Sequence, residues 1–294
     1  MGERGFFVVG TGRCGSTLLR RLLRLHPDAW VVKETHWIPL LFNFFGHREI
    51  ELTEFFDAAR LVYMAKGKTA YERILGEEGL DHESFAAALA PAVDALPRQI
   101  AAGIMTVFYR ELARRHGASV WGDKTPDYGL CMGTLQSLWP EAKFVHIVRD
   151  GRDVAISMSD VLSFRLQVAW GVNYWPAIAW RRAYRARLAV ARGEISIDRF
   201  FELWRSRLLR IRDESGRLSA GSYLEITYEE LLEEPEKVLD RTATFLGLVP
   251  SRDWLEAATA QVRRDDRRRH ADSPDYLGLC ERHGDTLRSL GFGA

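Results

Sequence analysis

The chain has 294 residues, 47% of them hydrophobic, and a formal charge of +1 from 41 Lys and Arg against 40 Asp and Glu. A charge this balanced excludes a global field for nucleic acid or an anionic membrane surface, so any anion site must be local. Cys14, Cys131 and Cys280 are widely spaced and form no Cys-x-x-Cys pair, which argues against a disulfide framework or a zinc site and fits a reducing compartment.

Phe6-Phe7-Val8-Val9 is a short β-favouring run, too short for a signal-peptide core. No later segment reaches the ~18 uncharged apolar residues of a membrane span, so the expectation is a soluble, cytoplasmic protein. Residues 10–17 are glycine-rich, and leucines at helical spacing follow over residues 18–25, so the order reads strand, loop, helix. His26-Pro27-Asp28 stops the helix. Trp30-Val31-Val32 then reads as a strand that delivers Lys33, Glu34, Thr35 and His36 at its C-terminal end, where ligands of parallel α/β sheets bind. Residues 37–117 carry Ala-, Leu- and Phe-rich helical patterns broken at Gly76, Gly79, Pro91 and Pro97, which predicts a helical insertion or lid. Residues 120–126 read as extended and residues 130–138 as helical. Residues 143–148 form the clearest buried strand, and Arg149-Asp150-Gly151-Arg152-Asp153 turns from it into a helix. Trp170, Trp175, Trp180 and Trp204 belong to a long helical stretch as core aromatics. Residues 222–228 form the last strand, an acidic helix runs from Tyr228 to Leu248, and the basic, glycine-bearing tail from Arg263 is predicted to be irregular.

The Gly10-x4-Gly15 spacing gathers backbone N–H groups and a helix N-terminus around one point, a place for phosphate or sulfate. A nucleoside-triphosphatase loop carries Lys directly after its second glycine. Here Ser16 and Thr17 follow, which counts against ATP or GTP hydrolysis. Arg13 supplies the cation inside the loop, with a planar fork suited to an oxyanion. Cys14 is read as space-filling and His146, within its apolar strand, as structural. The expected fold is α/β: a single P-loop-like domain over residues 1–294, its central parallel sheet flanked by helices, with the insertion at about residues 37–117. A P-loop kinase and a non-catalytic nucleotide-binding protein are the competing readings.

The loop is followed, in order, by Ile147-Val148-Arg149-Asp150-Gly151-Arg152-Asp153-Val154-Ala155-Ile156-Ser157, by residues 227–235 beginning Thr227-Tyr228-Glu229-Glu230, and by Phe245-Leu246-Gly247-Leu248. In this combination the chain resembles the sulfotransferases that use 3'-phosphoadenosine-5'-phosphosulfate (PAPS), over about residues 5–250 with a divergent middle. The resemblance implies that Gly12, Arg13, Cys14, Gly15, Ser16 and Thr17 hold the 5'-phosphosulfate, that Arg149 and Ser157 hold the 3'-phosphate, and that Tyr228 lies among the donor-binding residues. The loop variant is similar to that of tyrosylprotein and bacterial members. Lys33-Glu34-Thr35-His36 and Asp123-Lys124-Thr125-Pro126 are similar to segments of heparan-sulfate-type members that supply a catalytic Glu and a Lys. Animal members of those types usually carry a membrane anchor, and none is read here. The family's late Arg-Lys-Gly motif is not evident; Arg267, Arg268, Arg269 or Gly278 would stand in for it.

Sulfonate transfer resembles phosphoryl transfer in needing an in-line approach, so positioning and charge stabilisation dominate. Glu34 is the expected general base, its pKa raised from ~4.3 by desolvation, with His36 as the alternative base or as the residue that orients Glu34. Lys124 would neutralise charge on the leaving oxygens, beside the Arg13 guanidinium. Neither an HExxH motif nor a carboxylate cluster with cation-ligand spacing occurs, and no metal is expected. Acceptor specificity is assigned to residues 37–117 and 164–180, and the expected acceptor is a small-molecule, lipid or carbohydrate hydroxyl rather than a protein tyrosine. No nucleic acid or integral membrane partner is expected.

Overall fold

The computed structural model describes residues 5–62, 68–170, 192–263 and 270–293. Five strands form one parallel sheet in the order β2-β3-β1-β4-β5: β1 (Gly5–Val9), β2 (Ala29–Lys33), β3 (Val120–Lys124), β4 (Lys143–Val148) and β5 (Tyr223–Thr227). The strands at the centre of the sheet are buried along nearly their whole length, and their apolar runs suit a sheet covered on both faces. Side-chain alternation divides β1 between two cores. Phe7 and Val9 join Val32, Trp121 and Phe144 on one face, while Phe6 and Val8 join Val31, Val145, Ile147 and Ile226 on the other.

The register brings the strands' C-terminal ends to one edge, pairing Lys33 with Lys124, Lys124 with Val8, and Val148 with Thr227. From β1 the chain leaves toward β2 on one side, whereas β4 and β5 lie on the other, so the strand order reverses beside β1. Ligands of open α/β sheets bind at that position.

Helix α1 (Ser16–Leu23) follows β1, and residues 37–117 hold α2 (Ile38–Phe45), α3 (Leu52–Ala59), α4 (Ala70–Glu78), α5 (His82–Asp94) and α6 (Ala101–Arg115). Local signals start three of them. Glu51 with Glu54 and Thr69 with Glu72 form capping boxes, and Asp81 accepts from the Ser84 amide. Two expected breakers are absorbed: Gly76 lies inside α4 and Pro91 inside α5. In α5 the buried stripe Phe85, Leu89 and Val93 packs into the core, and that burial outweighs the amide bond Pro91 cannot make.

The remaining helices are α7 (Met132–Leu138), entered through a 3-10 turn at Pro126–Cys131, then α8 (Gly151–Ser159), α9 (Leu162–Trp170), α10 (Ile197–Ser215), α11 (Tyr228–Glu233), α12 (Pro235–Leu246), α13 (Arg252–Thr259) and α14 (Pro274–Ser289). The single acidic helix expected from Tyr228 to Leu248 is two. Pro235 disfavours helical geometry at Glu234, whose φ is −125° and ψ 56°. The tail expected to be irregular forms α14: Ser273 caps it by accepting from the Tyr276 amide, Pro274 fits the first turn, and Leu279 and Leu287 join Val154 and Trp204 in a third core. Gly278 lies within that helix. Trp204 is a core residue of α10, as read from sequence, while Trp175, Trp180 and Arg267, Arg268 and Arg269 lie outside the described residues.

Candidate active site

The loop after β1 is shaped by close approach. A Cβ on Gly10 would meet Cys14 Sγ at 2.5 Å and the Ile147 carbonyl at 2.8 Å, and one on Gly15 would meet Tyr228 Cδ2 at 2.2 Å. Gly15 stands at the N-terminus of α1 with φ 94°, and no side chain caps the helix there, so its first amides face the loop's interior as a site for an anion. The 3'-phosphate residues expected from sequence lie alongside. Arg149 leaves β4 with its guanidinium 4.6 Å above the Tyr228 ring and 3.7 Å from Asp153 Oδ2. Arg13 Nε donates to Ser157 Oγ at 2.9 Å, so the loop's cation reaches across to α8. Cys14 is fully buried and burial pushes its thiol up, which leaves the side chain as packing and only its backbone toward the loop. Tyr228 supports the floor beneath Gly15 and Arg149 rather than lining the cavity.

A strap of residues 33–36 leaves β2 beside the loop. Glu34 has φ 38° and His36 φ 54°, and with Arg13 at φ 56° these are the non-glycine residues of positive φ among those described. All three line one cavity of about 540 Å³, together with Gly12, Ser16, Thr17, Arg149 and Ser157. Such backbone costs ~1–3 kcal/mol per residue and persists only where the surroundings over-determine it. Here Thr35, between the two strained residues, is held by three side chains. Its amide donates to Thr125 Oγ1 at 3.0 Å, its hydroxyl donates to Asp123 Oδ2 at 2.6 Å, and the Tyr128 hydroxyl lies 2.6 Å away. Tyr109 donates to the same Asp123 oxygen at 2.7 Å. The Glu34 amide donates to the Lys124 carbonyl at 2.8 Å, and Arg73 of α4 donates to the carbonyls of Lys33 and Glu34 at 3.2 and 2.7 Å. Lys124, whose side chain is fully buried, reaches Glu34 Oε1 in a short contact and donates to Thr17 Oγ1 at 3.4 Å, so it joins the strap to the loop.

The sequence model described as "Sulfotransferase family" matches residues 5–252. The chain belongs to the sulfotransferase family. A Caenorhabditis briggsae protein named as a protein-tyrosine sulfotransferase is 24% identical over 271 residues, covering 90% of this chain and 74% of that protein. Among solved structures, the sulfotransferase domain of the Synechococcus PCC 7002 olefin synthase is similar at TM-score 0.54 and 22% identity, over 94% of this chain and 92% of that one. The sulfotransferase domain from the curacin biosynthetic pathway reaches a TM-score of 0.56 at 18% identity, over 95% and 83% of the two chains. At these identities the two structures establish a shared fold.

In this sulfotransferase the electrostatics of the base candidates differ from the sequence expectation. Burial does work to raise the Glu34 carboxyl, but the neighbouring His36 and the Lys124 ammonium outweigh it and hold the group well below the ordinary carboxylate range. Burial lowers the His36 imidazole, against the pull of Glu34, and likewise lowers the Lys124 ammonium. Lys124 therefore favours the ionised form of Glu34, and burial favours the neutral form of His36.

Two charged residues at the site escaped the sequence reading. Asp127 lines the cavity directly after Pro126, and its Oδ2 stands 3.9 Å from His36 Nδ1. Arg207 of α10 is buried, pairs with Asp127 Oδ1 in a short contact, and donates to Gln167 Oε1 at 3.1 Å. Asp127 sits one position beyond the Lys124-Thr125-Pro126 segment already singled out. Arg207 had a fainter signal: an arginine on the same helical face as Phe200, Trp204 and Ile211, where the apolar period calls for a core residue. Among the described residues, no group of three His, Cys, Asp or Glu side chains is placed to hold a metal ion, and no helix is long and apolar enough to cross a membrane.

Proposed function

We propose that this sulfotransferase moves a sulfonate group from PAPS to a hydroxyl of a small-molecule, lipid or carbohydrate acceptor, with Glu34 receiving the acceptor's proton. The observation that carries the reading is the convergence, in one cavity, of the anion loop at residues 12–17, the Arg149 and Ser157 pair, and the strained strap bearing Glu34 and His36. The acceptor oxygen bonds to sulfur while the bond from sulfur to the phosphate oxygen breaks. The electron pair leaves on that oxygen and the hydroxyl proton passes to the base. The loop amides, Arg13, Ser16 and Thr17 are suited to the 5' side of the donor, and Arg149 and Ser157 to a 3'-phosphate, the group that separates PAPS from ATP. Lys124 bridges Glu34 and Thr17, which supports a role in stabilising charge on the leaving oxygen.

A second reading, with His36 as the base, is favoured by one observation: the Lys124 ammonium against Glu34 favours its ionised form and so weakens its basicity. The same lining mixes Pro126, Val161 and Phe164 with Ser163 and Gln167, which supports an acceptor that is partly apolar. The helices of residues 37–117 serve in this reading as a lid of the same domain, tied to the strap through Arg73. Calorimetry of 3'-phosphoadenosine-5'-phosphate (PAP), without metal and against ADP, tests the donor. Tight binding of the 3'-phosphorylated nucleotide, lost in Arg149→Ala and absent for ADP, is the expected result, and equal affinity for the two nucleotides would overturn the proposal.

A further inference from the structure

We infer that Asp127, clamped by Arg207, is a positioning residue that sets the tautomer of His36, so that Glu34 and His36 receive the acceptor's proton as a pair. The inference rests on the proposed sulfonate transfer and adds to it a residue outside the donor-binding motifs. Its basis is the arrangement around the imidazole. Glu34 gives Oε1 to Lys124 and turns Oε2 toward His36 Nε2 at 3.9 Å, while Asp127 gives Oδ1 to Arg207 and turns Oδ2 toward His36 Nδ1 at 3.9 Å. Each carboxylate is thus anchored by a cation on one oxygen and presents the other to the ring. At 3.9 Å both contacts are electrostatic, one small ring movement or one bridging water from a hydrogen bond.

A neutral imidazole carries a single N–H, so the two carboxylates compete for it. Asp127 is the more firmly seated, because Arg207 is itself buried, bonded to Gln167 of α9, and carried on a helix of the third core. Glu34, by contrast, shares its cation with Thr17 at the open face of the loop. The N–H therefore belongs on Nδ1, facing Asp127, and the bare Nε2 faces Glu34. A proton leaving the acceptor hydroxyl enters between Glu34 Oε2 and His36 Nε2: the acceptor O–H bond breaks, an O–H or N–H bond forms on the pair, and no redox partner is needed. With the proton on Nε2, an imidazolium lies between two carboxylates, a favourable end state. The strained backbone on either side of Thr35 keeps both side chains aimed at this point. The other charges acting on the ring are Asp123 of β3, which favours its protonation, and Arg73 of α4, which opposes it.

The test is long-range 1H–15N NMR of histidine-labelled full-length protein, with His36→Gln to assign the resonance, in wild type, Asp127→Asn and Asp127→Glu. The pH profile of kcat/KM and PAP calorimetry run in parallel. In wild type the Nδ1–H tautomer is expected. Asp127→Asn should lower the His36 pKa by about one unit and carry the acid limb of kcat/KM down with it, at a plateau about tenfold lower, while PAP affinity is kept. Asp127→Glu should return the limb most of the way. An Nε2–H tautomer in wild type, or an unmoved His36 titration in Asp127→Asn, overturns the inference. If Asp127→Asn does not fold, the wild-type tautomer decides alone. Should PAPS transfer be absent, the tautomer and titration still read the hold of Asp127 on His36, so the failure of the function and the failure of this inference give different results.

Discussion

The two ends of the cavity are built in opposite ways. At the phosphate end, a contiguous loop presents backbone amides, glycines admit the close approach of Tyr228 and Ile147, and the arginines add charge to a site the main chain has already formed. At the base end, Glu34, His36, Lys124, Asp127 and Arg207 come from separate stretches of chain and are aimed by a buried network centred on Thr35 and Asp123. In the proposed function, binding would rest on backbone geometry with charge added by Arg13 and Arg149, and chemistry on side chains whose placement depends on the whole fold.

If that division holds, variants at the base end should lose turnover and keep the nucleotide, and variants at the phosphate end the reverse. Glu34→Gln removes a proton acceptor and should cost about 10²–10⁴ in kcat while PAP binding, read by calorimetry, stays near wild type. An equal loss of PAP affinity in that variant would break the comparison. Arg149→Ala should weaken PAP about ten- to a hundredfold, the worth of charge-assisted hydrogen bonds, and leave ADP affinity unchanged. Thr35→Val keeps shape but leaves the buried Asp123 carboxylate short of a donor, so urea unfolding should show a loss of about 1–3 kcal/mol together with reduced turnover. The smallest effect is the pH dependence of stability. His36 and Glu34 both have folded pKa values below their unfolded ones, so the unfolded chain binds more protons in acid, and stability should rise with pH. The His36 contribution should be complete above ~6.5 and fade below it, and the Glu34 contribution should be complete above ~4.3 and fade as pH falls toward its depressed folded value. Urea midpoints of wild type, His36→Gln and Glu34→Gln across that range separate the two windows.

The phosphate end was legible because its parts are neighbours in the chain. Strand, glycine spacing and helix sit within residues 5–23, and Arg149 and Ser157 are set by one strand-to-helix turn. Much of the helical insertion was legible too, although Pro91 shows tertiary packing of a buried stripe overriding a local breaker. Composition misled at the tail, where basic residues and glycines outweighed the Ser273-Pro274 start signal of α14. At the base end, Glu34 and His36 were marked by their place at a predicted strand end together with the resemblance, and Lys124 by the resemblance. Nothing local in the sequence tells that the polar groups of Asp123, Tyr109 and Tyr128 meet at Thr35.

By itself, then, the sequence determined the parallel α/β plan, the strand-loop-helix unit that opens it and the family, because each follows from local periodicity, turn chemistry or contiguous motifs. Only the tertiary structure decided that Glu34 is held ionised instead of raised, that Lys124 ties strap to loop, and that Arg207 backs Asp127 behind His36. The physical reason is that a pKa, a strained backbone and a buried ion pair depend on which charges and donors the fold brings within a few ångströms, and sequence spacing does not encode those distances.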